Sequence, residues 1–125
     1  AANLAHYYAG MAYLNLKDYQ KAITYLSDFT SDDVMLNPIA KGAIGDAFAQ
    51  LNQPNDALEY YEKAFKANDN EFTTPMYLMK AAIVAMELGE NQKAVDYLER
   101  IKAEYGKRAE ASKVDVLLGK AQAKL

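Results

Sequence analysis

The feature that most constrains this chain is an alanine that recurs at nearly constant spacing within a helix-like pattern. Ala22, Ala57 and Ala94 lie 35 and 37 residues apart, and each is followed directly by an aliphatic residue. Apolar residues recur with the helical period around each alanine, and no segment alternates apolar and polar residues long enough to predict a strand. Self-similarity at this period indicates a helical repeat, in which each unit is one hairpin that buries its apolar face only against its neighbours.

A second small residue stands twelve positions before each of these alanines. These residues are Gly10, Gly45 and Ala82. Two helices of a hairpin approach closely only where neither carries a bulky side chain, and glycine inside a helix is less stable than alanine by about 1 kcal/mol. We therefore expect Gly10 to lie against Ala22 at the closest approach of the first hairpin.

The periodicity predicts seven helices. First helices are predicted over about 3–16, 38–51 and 75–88, second helices over about 18–30, 54–67 and 91–104, and a last helix over about 107–124. Proline suits the first position of a helix, because its missing N–H has no helical partner there. All three prolines fall at predicted helix starts: Pro38, Pro54 and Pro75. Asn37 and Thr74 are the predicted N-caps, and Gly89 is predicted to follow a helix C-terminus.

The last predicted helix carries a single apolar stripe. Its members are Val114, Leu117, Leu118, Ala121 and Leu125, while Lys113, Lys120 and Lys124 are predicted to face elsewhere. A terminal helix with one apolar face is typical of a cap that covers the last repeat of an array.

These features resemble the tetratricopeptide repeat, a helix-turn-helix unit of about 34 residues. The residues that carry the resemblance are Gly10, Tyr13, Ala22 and Phe29 in a repeat over about 3–36, Gly45, Phe48, Ala57 and Tyr61 over about 38–71, and Leu78, Leu88-Gly89, Ala94 and Leu98 over about 75–108. The third unit departs from the family pattern at Ala82 and Ala85. The resemblance implies an all-α fold, a right-handed α-solenoid of three repeats plus a capping helix, as a single domain over residues 1–125.

In that family the first helices line a concave face that binds partners. The resemblance therefore implies a groove for a peptide or helix of another protein, formed by Leu4, Tyr7, Tyr8, Met11, Leu14, Ile39, Asp46, Met76, Met79, Lys80, Ile83 and Met86. Gly42 and Ala43 occupy further positions of this face. Most of the set is apolar, and methionine suits grooves that accept varied apolar partners. The resemblance therefore implies a non-enzymatic scaffold for protein–protein interaction.

The sequence leaves the occupant of the groove open. A soluble protein rarely leaves a large apolar patch uncovered, so a partner segment, helices of the same protein upstream of residue 1, or a second copy of the chain are all candidates. Chaperone-binding members of the family hold a carboxylate with basic residues and asparagine. The matching positions here are Tyr7, Met11, Ala43, Met76 and Lys80, of which only Lys80 is basic. The resemblance therefore does not extend to a carboxylate clamp.

Composition excludes several classes of site. The chain has no cysteine, a net charge of −3 and a single histidine, so thiolate sites are absent and no overall positive charge favours nucleic acid. His6 stands where the repeat places a packing residue. The segment 69–71 lacks the ligand spacing of a calcium loop, and no glycine-rich phosphate loop or membrane-spanning apolar run is present. We therefore expect neither an enzyme nor a cofactor or metal, and no nucleic-acid partner.

A narrower resemblance concerns where the protein is located. The segments AANLAHYYAG, SDDVMLNPIAKGAIGDAF and NDNEFTTPMYLMKAA are similar to the C-terminal repeats of membrane-anchored envelope proteins of this family in Bacteroides-like bacteria. That resemblance implies a chaperone-like protein on the periplasmic side of the inner membrane, anchored through an N-terminal segment outside this chain. Because the chain does not begin with methionine, we expect it to be a piece of a longer protein.

Overall fold

The computed structural model describes residues 2–107 and 111–125, and within them the chain forms seven α-helices and no strand. The helices are α1 Ala2–Asn15, α2 Tyr19–Ser27, α3 Leu36–Gln50, α4 Pro54–Ala67, α5 Thr73–Glu87, α6 Asn91–Tyr105 and α7 Ala111–Ala123. Each helix packs on the next one along the chain, and the first helices of neighbouring hairpins touch, α1 with α3 and α3 with α5. This nearest-neighbour packing makes a helical solenoid, which confirms the predicted fold.

The three hairpins end their first helices in the same way. Lys17, Asn52 and Gly89 have φ angles of 64°, 59° and 77°. The next residue then donates its N–H to the carbonyl five residues back, in the pairs Asp18–Tyr13 (2.9 Å), Gln53–Phe48 (2.9 Å) and Glu90–Ala85 (2.8 Å). This closure is the Schellman motif, which satisfies carbonyls that the helix end leaves free. The predicted role of Gly89 at a helix end is confirmed.

Lys17→Gly is expected to stabilise the fold by about 1 kcal/mol, because a side chain is strained at positive φ and glycine is not. Urea unfolding followed by circular dichroism measures the change. Gly89→Ala is the matched control at the same position of the third hairpin, and it should lose about 1 kcal/mol for the same reason. Both variants matching the wild type would contradict the assignment of strain to these loops.

The predicted N-caps Asn37 and Thr74 are wrong, because α3 and α5 begin before them. Side chains further upstream accept the first amide protons instead. Asp33 Oδ1 accepts from the N–H groups of Met35 (2.8 Å) and Leu36 (2.9 Å), and Asn70 Oδ1 accepts from those of Phe72 (2.9 Å) and Thr73 (2.8 Å). Pro38 and Pro75 therefore sit in the third helical position, where an N–H has no helical partner. Pro54 begins α4 as predicted.

One other helix end differs from the prediction, and the predicted start of the last helix falls next to residues that are not described. α2 ends at Ser27 rather than near residue 30, because the backbone of Thr30 bonds to α1 instead. The side chain of Asn3 donates to the Thr30 carbonyl (2.6 Å) and accepts from the Thr30 N–H (2.9 Å). α7 is described over Ala111–Ala123, and residues 108–110, next to its predicted start near 107, lie outside the described residues.

Gly10 of α1 and Gly45 of α3 each face a large side chain of the second helix of their hairpin. A Cβ at Gly10 would lie 2.5 Å from Cγ of Leu26, and one at Gly45 would lie 2.7 Å from the ring of Tyr61. The prediction that Gly10 lies against Ala22 is therefore wrong, because the nearest side chain is that of Leu26. Helical side chains lean toward the N-terminus of their helix, so Leu26 covers the turn in which Ala22 is buried.

Buried apolar side chains line the interior of the solenoid in two clusters. The smaller cluster lies between α2 and α3 and the larger one spans α4 to α7, with Phe48 packed against both. Of the predicted stripe on α7, Val114, Leu118 and Ala121 are buried and Leu117 is half-buried, whereas Leu125 is 65% exposed. Leu125 lies beyond the last turn of α7, so the prediction is wrong for that residue.

Candidate functional site

The structure places the twelve predicted groove residues on the first helices α1, α3 and α5, at different depths. Leu4, Tyr8 and Met76 are exposed, by 41%, 63% and 41%. The others are half-buried: Tyr7, Met11, Leu14, Ile39, Asp46, Met79, Lys80, Ile83 and Met86. The face is therefore partly used for internal packing. Tyr7, Met11 and Leu14 pack against the smaller core cluster, while Met79 and Met86 pack against the larger one.

The middle of this face is filled by the chain itself. Gly42 and Ala43, expected on the concave surface, are buried. A Cβ at Gly42 would overlap the ring of Tyr77, which α5 projects toward α3. Tyr77 is 4% exposed, and its ring stacks on Tyr61 with centroids 6.2 Å apart. No room for a partner remains at Gly42, so the expectation is wrong for these two positions.

A polar network crosses the face beside this contact. Lys80 Nζ donates to both carboxylate oxygens of Asp46, at 2.9 and 3.2 Å, and Tyr61 donates its hydroxyl proton to Asp46 Oδ1 at 2.6 Å. One shallow depression of about 560 Å³ lies over this network. Its lining residues are Leu14, Lys17, Tyr19, Asp46, Ala49, Gln50, Tyr61 and Lys80. The ammonium group of Lys80 is therefore engaged within the protein.

A cavity of about 760 Å³ lies between α5 and α7 over α6. It is lined by Phe72, Pro75, Met76, Met79, Lys80, Ile83, Ile101, Lys102, Tyr105, Gly106, Lys113, Val114 and Asp115. Only four of these residues belong to the predicted groove: Met76, Met79, Lys80 and Ile83. Leu4, Tyr7, Tyr8, Met11, Ile39 and Met86 line neither this cavity nor the depression over Asp46.

The cavity lies where two neighbouring repeats meet without the large side chain that fills the equivalent contact between the preceding two. Tyr77 of α5 fills the space against Gly42 of α3. Thirty-seven residues further along, Val114 of α7 faces Met79 of α5 across the cavity. Valine is much shorter than tyrosine, and the cavity lies above Val114, which is itself only 1% exposed. The repeat spacing could have located this wall of the cavity, because Val114 occupies the position in α7 that Tyr77 occupies in α5.

Among the described residues, no three His, Asp or Glu side chains lie close enough to hold a metal ion. His6 is half-buried, and its ring lies 6.1 Å from the ring of Tyr25. Within the described ranges no helix is long and apolar enough to span a bilayer. The concave face instead presents an apolar cavity with lysines at its edge.

Raising the pH is expected to destabilise the fold through the tyrosines beneath this face. Burial raises the pKa of Tyr61 and of Tyr77 above the ordinary value, and for Tyr61 the bond to Asp46 adds to the effect. The native state then holds these protons at a pH where the unfolded chain has lost them. Their contribution is complete below about pH 10 and decreases above it, by about 2 kcal/mol in total near pH 11.

Urea unfolding at about pH 9 and about pH 11 measures this loss. The doubly substituted variant Tyr61→Phe with Tyr77→Phe is the control, because it cannot titrate at these positions. An equal alkaline loss in that variant and in the wild type would assign the effect to other groups.

Comparison with known proteins relates this architecture to a family. A model described as tetratricopeptide repeat matches residues 43–109, and a second model with the same description matches residues 4–33. Among solved structures, the TPR2B-domain:pHsp70 complex of yeast Sti1 is similar, with a TM-score of 0.76 and 18% identity over 99% of this chain and 98% of that one. No curated protein sequence matches the chain.

Proposed function

The chain belongs to the tetratricopeptide repeat family, and from that premise we propose that it is a non-enzymatic interaction scaffold. Its concave face, formed by the first helices, holds an apolar or amphipathic segment of another protein. The observation that carries this proposal is the cavity of about 760 Å³ walled by Met76, Met79 and Ile83 of α5. That volume is in the range that ligand pockets occupy in proteins.

Apolar side chains also extend along the face away from the cavity. Leu4 and Tyr8 of α1 are exposed by 41% and 63%, on the same face as the exposed Met76 of α5. A segment that crosses the first helices would bury all three side chains. Apolar side chains that are solvated in the free protein and buried in the complex favour binding by about 25 cal/mol per Å² of area removed from water.

A structural or oligomerisation role is the second candidate, and it rests on an exposed apolar residue at the end of α1. Leu16, directly after α1, is 74% exposed, as expected of a helix end on which another helix packs. The occupant would then be a further helix of the same protein or a second copy. Light scattering over a range of concentrations distinguishes the roles, because self-association raises the average mass and a scaffold that awaits a different partner does not.

A placement on the periplasmic side of a bacterial inner membrane is proposed from sequence resemblance alone. Protease treatment of spheroplasts that express the full-length protein tests it. Digestion of the repeats without lysis would support that placement, and protection until lysis would exclude it.

Photo-crosslinking tests the scaffold proposal in the native cell. A photoreactive amino acid replaces Met76 in the full-length protein, and in a second strain it replaces Val116, which is 58% exposed on α7 outside the cavity. Protein adducts are expected from position 76 and not from position 116. Met76→Glu should remove capture of the same partner, by at least about tenfold, with unchanged helicity. Adducts of equal yield at both positions would argue against the concave face.

A further inference from the structure

The cavity between α5 and α7 combines an apolar interior with a positively charged rim. We propose that it recognises a partner segment in which a bulky apolar residue stands next to an acidic residue. This inference rests on the proposed scaffold function and names the chemistry of its partner. The apolar residue enters between α5 and α7, and the acidic residue lies at the lysines of α6 and α7.

The interior is fitted to an apolar side chain. Met79 and Ile83 form one wall, and Val114 with Ile101 closes the floor. Val114 and Ile101 are only 1% and 4% exposed, so the apolar surface that an entering side chain would contact comes mainly from Met76, Met79 and Ile83 of α5. Polar groups buried there would lack partners, whereas an aromatic or branched aliphatic side chain would fill the place that Tyr77 fills in the preceding repeat.

More lysines than acidic residues line the rim, although Lys80 is already paired with Asp46, so the excess positive charge lies at the lysines of α6 and α7. Lys80, Lys102 and Lys113 line the cavity, and Asp115 is the one acidic residue in that lining. Lys102 Nζ lies 3.0 Å from Asp115 Oδ1, but both side chains are more than half exposed, so this ion pair is weak and screened. Lys113 is exposed and makes no ion pair within the described residues. An acidic neighbour of the apolar anchor therefore meets an available ammonium group, and a basic neighbour is repelled.

These lysines differ from the positions where related proteins hold a carboxylate. Of those positions only Lys80 is basic, and its ammonium group is bonded to Asp46. Lys102 and Lys113 come from α6 and α7 instead. The acidic residue is therefore expected within the segment, beside its apolar anchor, rather than at a free C-terminus in the depression over Asp46.

Selection from a peptide library tests the inference while the natural partner is still unidentified. A phage-displayed library of random peptides of about twelve residues, long enough for an extended segment or a short helix, is panned on the full-length protein. Enriched peptides are expected to carry Asp or Glu within two positions of Phe, Leu, Ile or Met. The strongest peptide is then synthesised with a fluorophore, and its affinity is measured by anisotropy.

Two pairs of variants locate the bound peptide. Lys113→Glu is expected to weaken binding about tenfold at low salt and less at high salt. Lys120→Glu on the same helix, which makes the same change in charge outside the cavity, should leave the affinity within about twofold. Val114→Tyr should abolish binding, because it places in the cavity the side chain found at Tyr77. Ile83→Phe fills the cavity from α5 and serves where Val114→Tyr does not fold.

The outcomes separate this inference from the function on which it rests. Peptides that bind on the concave face without acidic preference, or that bind Ile83→Phe normally, overturn the inference and leave the scaffold function standing. A library that yields no binder overturns both. A protein that dimerises, and that becomes monomeric with Val114→Tyr or Ile83→Phe, assigns the cavity to a second copy and also overturns the inference.

Discussion

Gly42→Ala is expected to destabilise the protein by about 3 kcal/mol, although alanine is normally the better helix residue. A Cβ at this position would overlap the ring of Tyr77. The ring has little freedom to move aside, because Tyr77 is 4% exposed and stacked on Tyr61. Overpacking of a tight helix contact forces backbone shifts between α3 and α5. The midpoint of thermal unfolding should decrease by about 10 °C.

Gly119→Ala is the matched control for this substitution. It is also a glycine within a helix, but its Cβ would have no neighbour within 4 Å. This variant should gain about 0.5–1 kcal/mol from helix propensity alone. Adding Tyr77→Leu to Gly42→Ala should recover part of the loss, since the two residues are coupled by contact. A Gly42→Ala protein within about 0.5 kcal/mol of the wild type would show that the contact does not limit the approach of the helices.

Asn70→Ala is expected to cost about 3 kcal/mol, because this side chain organises the start of α5. Its Oδ1 accepts from two backbone N–H groups, and its Nδ2 donates to the carbonyls of Val34 (3.2 Å) and Asn68 (3.0 Å) and to Thr73 Oγ1 (2.6 Å). Thr73 is 1% exposed, whereas Phe72 and Val34 are 55% and 48% exposed. Water therefore has little access to the N–H and the hydroxyl of Thr73 after the substitution, and an unpaired buried group is destabilising.

Two variants divide this effect into its parts. Asn70→Asp keeps the two bonds to the amides of α5 and removes the three donated by Nδ2, so its loss should be intermediate. Asp33→Ala removes the corresponding bonds at the start of α3, where the residue is exposed, and its loss should be smaller. Urea unfolding measures all three proteins. If Asn70→Ala is no less stable than Asp33→Ala, the buried part of the network contributes little.

The number and order of the helices could be predicted from the sequence because they depend on the register of small and large residues. Ala22, Ala57 and Ala94 repeat with the hairpins, and they are fully buried in the structure. The helix starts were predicted less well. Asp33 and Asn70 bond to amides two and three residues ahead, and a rule that looks for a cap directly before proline selects Asn37 and Thr74 instead.

The groove residues were predicted only from their positions within the repeat, and this limited the prediction. The register places residues on the first helices, but burial depends on what the next repeat projects toward them. Tyr77 removes Gly42 from the surface and Ala43 is buried in the smaller core cluster, while Met79 lies beside a cavity. The walls contributed by α6 and α7 were missed, because sequence reasoning assigned the second helices and the capping helix to the core alone.

The central claim is that partners bind on the concave face, and amide hydrogen exchange of the complex tests it most directly. The full-length protein is compared free and bound to the partner isolated by crosslinking, with exchange measured helix by helix. Slower exchange is expected in α5 and α7 and in exposed turns of α1 and α3, with no change in α2 and α4. Protection confined to α2 and α4 would contradict the claim and would place the partner on the opposite side of the solenoid.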